Sequence, residues 1–187
     1  MAGNVHTPGV FLHALAVLER QLMAYCFDRW AASGPDASAM PGQLRPVLDA
    51  VENDHRERFP YNFLDFIQHH AQPLLEGFML RFDHLGTDEK EYLESHLRGT
   101  GEQSLALRLT GRLQELARDR REWKRKAEQL KSERERLGKL PEDEATQEQR
   151  SQVEQERNAL LRLVAQLNQR HVLNFLTDEG ILPNYAF

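Results

Sequence analysis

Residues 102–139 contain no proline and repeat apolar side chains at every seventh position, which restricts the fold more than any other feature. One row of this repeat holds Leu109, Leu116, Trp123, Leu130 and Leu137, and the partner row holds Ala106, Leu113, Arg120, Ala127 and Arg134. Such a repeat keeps one stripe of a helix turned toward a partner helix. The segment is therefore predicted to be a long helix with a coiled-coil seam.

A second long helix is predicted from Glu144 to about Asp178, with Val153, Leu160 and Leu167 seven residues apart. Residues 140–143 form a turn between the two, so we expect an antiparallel coiled-coil hairpin over 99–178. Two alignments of its helices stay open. One places Trp123 opposite Leu160 and Lys126 near Glu156, and the other, shifted by four residues, places Trp123 opposite Val164.

The part of the chain before this hairpin is predicted to be a helical bundle over residues 1–98. Apolar residues recur at helical spacing in 8–32 and 61–85, and shorter helices are expected from Pro46 to about Arg58 and from Thr87 or Asp88 to Arg98. Pro73 should kink the helix that contains it. The overall expectation is an all-α fold with a bundle (1–98), a hairpin (99–178) and a docking tail (179–187).

The composition excludes several classes of protein. The 187 residues are 28% charged with a net charge of −5, which excludes a globally basic nucleic-acid binder but permits a local basic patch. Cys26 is the single cysteine, so a disulfide framework is excluded and a cytoplasmic location is expected. The chain has no apolar run of the roughly 18 residues that a membrane span requires, and no membrane partner is expected.

The sequence lacks the motifs of nucleotide hydrolysis, serine hydrolases and metal sites. His69 and His70 are adjacent, and neighbouring residues on a helix point about 100° apart, so they do not chelate one ion easily. Cys26 lies on an apolar helix face, which indicates a buried, inert thiol. We therefore expect no catalytic residue, no metal, no cofactor and no enzyme activity in this chain alone.

The most suggestive polar feature is the basic segment 118–136, which holds nine basic and five acidic residues. Relative to the seam, Arg118, Arg121 and Arg125 fall on the outer face, with Lys124 beside them. Such a stripe is suited to phosphates of a nucleic-acid backbone and implies no base reading. The competing interpretation is that these cations lie on a solvated face of the coiled coil. Residues 142–156 carry six acids and one base, so the second helix can neutralise the positive charge of the first.

Two segments carry a resemblance to a known family. Phe11-Leu-His-Ala and Gln21-Leu-Met-Ala-Tyr-Cys-Phe-Asp-Arg-Trp30, together with Asn174-Phe-Leu-Thr-Asp-Glu-Gly-Ile-Leu-Pro-Asn-Tyr-Ala-Phe187, resemble a region of very long bacterial DEAD/DEAH-box helicases. In that family a helical region with a coiled coil follows two RecA-like motor domains. The resemblance implies a piece of a longer polypeptide, without the nucleotide loop, the acidic metal-coordinating motif or the arginine finger region.

The resemblance implies a non-catalytic accessory region of a large ATP-dependent DNA helicase. Its expected partners are DNA, contacted by the stripe, and the remainder of the helicase polypeptide, where ATP binds. The alternative is a protein–protein interaction or assembly module, in which the coiled coil pairs with another chain and nucleic acid has no role.

Overall fold

The computed structural model describes residues 8–34, 40–82, 85–99 and 104–184, with the side chains of 8–13 left aside. These residues form seven α-helices and no strand, which confirms the all-α prediction. The helices are α1 (Pro8–Ala32), α2 (Leu44–Glu52), α3 (Tyr61–Met79), α4 (Thr87–Arg98), α5 (Leu105–Leu137), α6 (Glu144–Gln169) and α7 (Val172–Asp178).

Local backbone chemistry explains the ends and bends of α2, α3 and α4. α2 stops at Glu52, earlier than the expected Arg58, and Asp54 then adopts a left-handed φ of 53°. α3 is kinked, as expected, with a non-helical φ of −116° at His70. The kink precedes Pro73, which lacks an N–H and crowds the preceding turn. α4 ends at Gly99, whose φ of 73° suits a residue without a Cβ.

The two longest helices, α5 and α6, pack closely and run antiparallel. Three contacts follow that direction: Arg120 to Asn168 (3.1 Å), Lys126 to Glu156 (2.7 Å) and Arg150 to the Leu137 carbonyl (2.7 Å). The Lys126–Glu156 pair agrees with the first alignment, whereas the Arg120–Asn168 and Arg150–Leu137 contacts agree with the one shifted by four residues. Lys131 bonds to Glu128 of its own helix. The coiled-coil geometry of this pair stays a prediction.

One hydrophobic core joins the N-terminal helices to the base of α5 and to α7. Its members from the C-terminal half include Leu105, Leu109, Leu113, Val172 and Phe175. They pack in the same cluster as the residues of α1 to α4, so both sides of the expected boundary near 98 contribute to it. The division into a bundle, a hairpin and a tail stays a prediction.

The second long helix is interrupted, whereas the sequence predicted one helix to about Asp178. α6 ends at Gln169, and Arg170 and His171 are extended before α7 begins. Their backbone pairs with a distant loop: the Arg170 carbonyl accepts from Leu44 N–H at 2.9 Å, and Val172 N–H donates to the Gly42 carbonyl at 3.1 Å. These long-range hydrogen bonds compensate for the helical ones lost at the break.

Two leucines of α6 lie elsewhere than the apolar pattern indicated. From the apolar spacing of the sequence we expect Leu161 and Leu163 to widen the apolar face at the end of the arm that docks on the N-terminal helices. Both are exposed, at 39% and 42% of their surface. The seam of α6 is instead buried through Val164 and Leu167, which lie on the face turned toward α5.

Candidate nucleic-acid interface

All four residues of the expected basic stripe lie on α5 and are exposed: Arg118, Arg121, Lys124 and Arg125. Asp119 and Glu122 lie among them in the sequence. Within the described parts of the chain, neither these two acids nor any other acidic side chain forms an ion pair with the four. The stripe therefore presents four cationic heads to solvent.

The basic residues that flank the seam behave differently. Lys126 pairs with Glu156 across the arm at 2.7 Å, and Arg134 approaches Glu154 at 3.6 Å. Arg136 is bonded to Glu133 of its own helix. Ion pairs across and within the two helices thus involve these flanking cations, whereas the four stripe residues take no part in them.

Arg120 occupies a seam position that apolar residues usually hold, and it is fully buried. Its contacts determine which face of α5 lies against α2. Its Nη2 lies 2.6 Å from Asp49 Oδ1 and 2.7 Å from Glu52 Oε2, and its Nη1 donates to Asn168 Oδ1 at 3.1 Å. At about 100° per residue, Arg118, Arg121 and Arg125 point some 100 to 160° away from Arg120. Burial of Arg120 therefore turns the stripe outward.

The charge of Arg120 is retained inside the protein. Burial lowers the pKa of this guanidinium, but the hydrogen bonds to Glu52 and Asp49 outweigh that effect and raise its pKa. Sequence reasoning missed this role. The available signal was an arginine in a heptad seam together with two acids, Asp49 and Glu52, spaced three apart on one face of a short helix.

A groove of about 570 Å³ lies between α2 and α5 beside the stripe. Arg118 and Arg121 line it from α5, and Val51 and Glu52 line it from α2. Glu52 is engaged with Arg120, so its carboxylate is balanced. Glu115 also lines the groove, and its carboxylate is paired with Arg112.

A second buried polar cluster, also missed from sequence, ties α1, α4 and α5 together. Glu19 is 6% exposed and accepts a hydrogen bond from the Tyr92 hydroxyl. Arg108 Nη1 lies 3.2 Å and His96 Nδ1 lies 3.5 Å from its carboxylate. Burial, assisted by Glu19, raises the pKa of Tyr92 to about 12. Glu19 interrupts the apolar face of α1, which is the pattern of a buried ion pair.

An apolar groove of about 650 Å³ runs between α1 and α7. Phe27, Trp30 and Met40 line one side of it, and Leu173 and Leu182 line the other. Ile181 of the expected docking tail is buried in the core, and the following residues reach the groove. Tyr185, Ala186 and Phe187 lie outside the described residues.

The other candidate reactive side chains, Cys26 and the adjacent His69 and His70, lie on α1 and α3. Cys26 is buried, and burial raises the pKa of its thiol to about 12. Over the described ranges, no group of three or more His, Cys, Asp or Glu side chains is arranged to hold a metal ion. His70 is exposed and stacks on Phe66. None of the helices seen in the described residues is long and apolar enough to cross a membrane.

Comparisons with protein-family models, curated proteins and solved structures find no match to this chain.

Proposed function

We propose that this chain is a non-catalytic accessory region of a large ATP-dependent DNA helicase, in which α5 and α6 form a coiled-coil arm that contacts the DNA backbone. The observation that carries the proposal is the contrast on α5. Four exposed cations, Arg118, Arg121, Lys124 and Arg125, have no acidic partner among the described residues, whereas Lys126 is neutralised by Glu156.

Contact with phosphates fits this stripe better than reading of base edges. Its side chains are guanidinium and ammonium groups, which bind phosphate oxygens regardless of sequence. Trp123 belongs to the seam and is partly buried against the core, so it does not serve as a stacking platform for bases. We expect binding that depends on salt and only weakly on sequence.

The proposal places ATP binding and hydrolysis in the remainder of the polypeptide and locates the whole in the cytoplasm. In this arrangement the coiled-coil arm transmits movement from the motor domains or guides the DNA. Arg120 holds α5 against Asp49 and Glu52 of α2, which gives the arm a defined angle at its base. An arm held in this way can steer a DNA strand relative to the motor domains.

The test is titration of this chain with fluorescent single-stranded, duplex and forked DNA in increasing salt. We compare the Arg118→Ala/Arg121→Ala/Arg125→Ala variant with the unmodified chain. Salt-sensitive binding that this variant loses supports the proposal. Absence of DNA binding at low salt contradicts the proposal.

A matched control removes the same charge from elsewhere on the surface. Arg56, Arg98 and Arg136 are exposed, and each is paired with an acid, namely Asp54, Glu94 and Glu133. Their triple replacement by alanine should leave DNA binding nearly unchanged. Equal losses in both triple variants would indicate a general charge effect and not an interface.

A second candidate function, assembly through the arm without nucleic acid, is favoured by Leu161 and Leu163. Both are exposed on α6, and exposed apolar side chains can mark a surface that meets a partner. The occupant in this reading is a second copy of the chain. Light scattering should then detect a dimer that Leu161→Glu/Leu163→Glu abolishes, whereas a monomer at all concentrations favours the DNA-contacting arm.

A further inference from the structure

Four basic side chains from both long helices surround a cavity of about 350 Å³ near the turn that joins α5 and α6. Lys131 and Arg134 come from α5, and Arg150 and Arg157 come from α6. In the described part of the chain, Glu135 is the one carboxylate that lines it. Cations gathered around a small cavity repel one another, so an anion placed between them lowers the electrostatic free energy.

Three of these cations have acidic partners, at distances toward the long end of the ion-pair range. Arg134 is 3.6 Å from Glu154, and Arg150 Nη1 is 3.5 Å from Glu142. Lys131 is 3.2 Å from Glu128. Charge-assisted N–H···O⁻ hydrogen bonds are usually about 2.7 to 2.9 Å long. The Arg134 and Arg150 pairs are longer than this and the Lys131 pair lies at the upper end of the hydrogen-bond range, so none of the three cations is held tightly by its acid.

Arg157 provides the second observation. Its Nε is buried and has no hydrogen-bond partner among the described residues. A buried donor without an acceptor is costly, and native proteins rarely leave one. Across the cavity, Arg150 is held in position because it donates to the Leu137 carbonyl through Nε at 3.0 Å and Nη2 at 2.7 Å. One guanidinium is thus fixed and the other has a free donor.

We propose that this cavity, the tip pocket, is a binding site for a phosphate group held by Lys131, Arg134 and Arg157. Guanidinium groups present several N–H donors in a planar fork that matches phosphate oxygens. The site is distinct from the stripe, since it is formed by both helices and lies nearer the turn. That the phosphate belongs to a DNA strand rests on the proposed function, and free phosphate has the same chemistry.

The test follows the side-chain Nε–H signals of arginine by NMR while inorganic phosphate is added to the full chain. The Arg157 signal should move and saturate with phosphate, and it should not do so with chloride at equal ionic strength. Arg157→Gln and Lys131→Gln should each weaken phosphate binding by about tenfold. Absence of a saturable shift overturns the proposal.

Arg162→Gln is the matched control, because Arg162 is an exposed arginine on the same helix and does not line the tip pocket. Its phosphate binding should equal that of the unmodified chain. Equal weakening by Arg157→Gln and Arg162→Gln would also overturn the proposal. Arg157→Lys keeps the charge but loses the fork, so it should restore binding only in part, with unchanged helical circular dichroism.

A second titration, with a short single-stranded oligonucleotide, identifies the source of the phosphate. Movement of the Arg157 signal by the oligonucleotide assigns the site to nucleic acid, and movement by inorganic phosphate alone assigns it to a free phosphate. Either result supports the tip pocket. The Arg118/Arg121/Arg125 triple variant leaves this pocket intact, so loss of DNA binding there with a retained phosphate response separates the two proposals.

Discussion

Arg120 carries a positive charge into the interior at the point where α2, α5 and α6 meet. Its guanidinium is bonded to Asp49 and Glu52 of α2 and to Asn168 of α6, so this α5 side chain ties three helices together. A charge is tolerated at such depth only when it is paired and hydrogen-bonded. The residue therefore sets the geometry of the base, besides contributing to stability.

Replacement of Arg120 by alanine should destabilise the protein markedly. The change leaves the carboxylates of Asp49 and Glu52 without their partner and opens a cavity, so we expect a loss of about 3 kcal/mol in the free energy of unfolding. Urea denaturation followed by circular dichroism measures it. The neighbouring exposed Arg121→Ala is the control and should stay within about 0.5 kcal/mol of the unmodified chain. Similar small effects for both would contradict the anchoring role.

Cys26 should be unreactive in the folded state. Burial raises the pKa of its thiol from 9.0 to about 12, and the side chain is 0% exposed. Its thiolate fraction near neutral pH is then about a thousandfold smaller than that of a free thiol. Labelling with iodoacetamide at pH 8 should be negligible without denaturant and rapid in urea. Fast labelling of the folded chain would show that the thiol reaches solvent.

At the scale of elements, the two ends of α6 are determined in different ways, one by a capping residue and the other by tertiary contacts. Its N-terminus is defined locally: Asp143 accepts a hydrogen bond from Thr146 N–H at 2.7 Å, as an N-cap residue does. Its C-terminus is defined by the loop at Gly42–Leu44, which takes the backbone bonds of residues 170–172. The N-terminus of α6 was therefore predictable from sequence, whereas its C-terminus was not.

The N-cap of α6 should weaken in acid. Hydrogen bonds from Thr146 lower the pKa of Asp143 in the folded protein. A carboxyl with a depressed folded pKa stabilises the fold above its unfolded value, about 3.9, and this contribution is lost as pH falls through the folded pKa. The Thr146 amide signal should therefore titrate with a midpoint below about 3.9.

Asp143→Asn is the control for this prediction. Asparagine caps helices about as well as aspartate but does not titrate, so the Thr146 amide signal should keep its cap position and lose its pH dependence. A midpoint at the ordinary aspartate value in the unmodified chain would mean that the cap hydrogen bond does not favour the ionised carboxyl.

At the scale of the whole molecule, one hydrophobic core holds residues of all the described helices. The apolar cluster includes residues of α1 to α5 and α7, and the α6 residue Leu167. The outer part of the α5–α6 pair relies on flanking ion pairs such as Lys126–Glu156, which are exposed and individually weak. High salt should therefore loosen the packing of α5 on α6 near their connecting turn before it affects the hydrophobic core.

The dependence of DNA affinity on salt should report the number of phosphates that the stripe engages. Each neutralised phosphate of duplex DNA contributes about 0.9 to the slope of log affinity against log salt. The Arg118/Arg121/Arg125 triple variant should thus lower the slope by about 2.7. Fluorescence anisotropy at several salt concentrations measures it. An unchanged slope would indicate that other residues contact the backbone.

How much of the fold was predictable depends on whether the information was local. The bounds of α1 and α4, the kink before Pro73 and the turn before α6 were predictable, because proline, glycine and apolar spacing act within a few residues. Exposure of the four stripe residues followed from the heptad pattern. The Arg120 anchor, the Glu19 cluster and the tip pocket join residues that are far apart in sequence.

The sequence by itself determined that this chain is helical, that its longest helices carry an apolar seam, and that a run of cations faces away from that seam. These properties depend on the 3.6-residue period of the helix and on the chemistry of single residues. Only the tertiary structure decided the break between α6 and α7, the burial of Arg120 and the closeness of Lys131 to Arg157. Each of these requires the docking of separate helices, and local pattern does not encode the register or the angle at which helices meet.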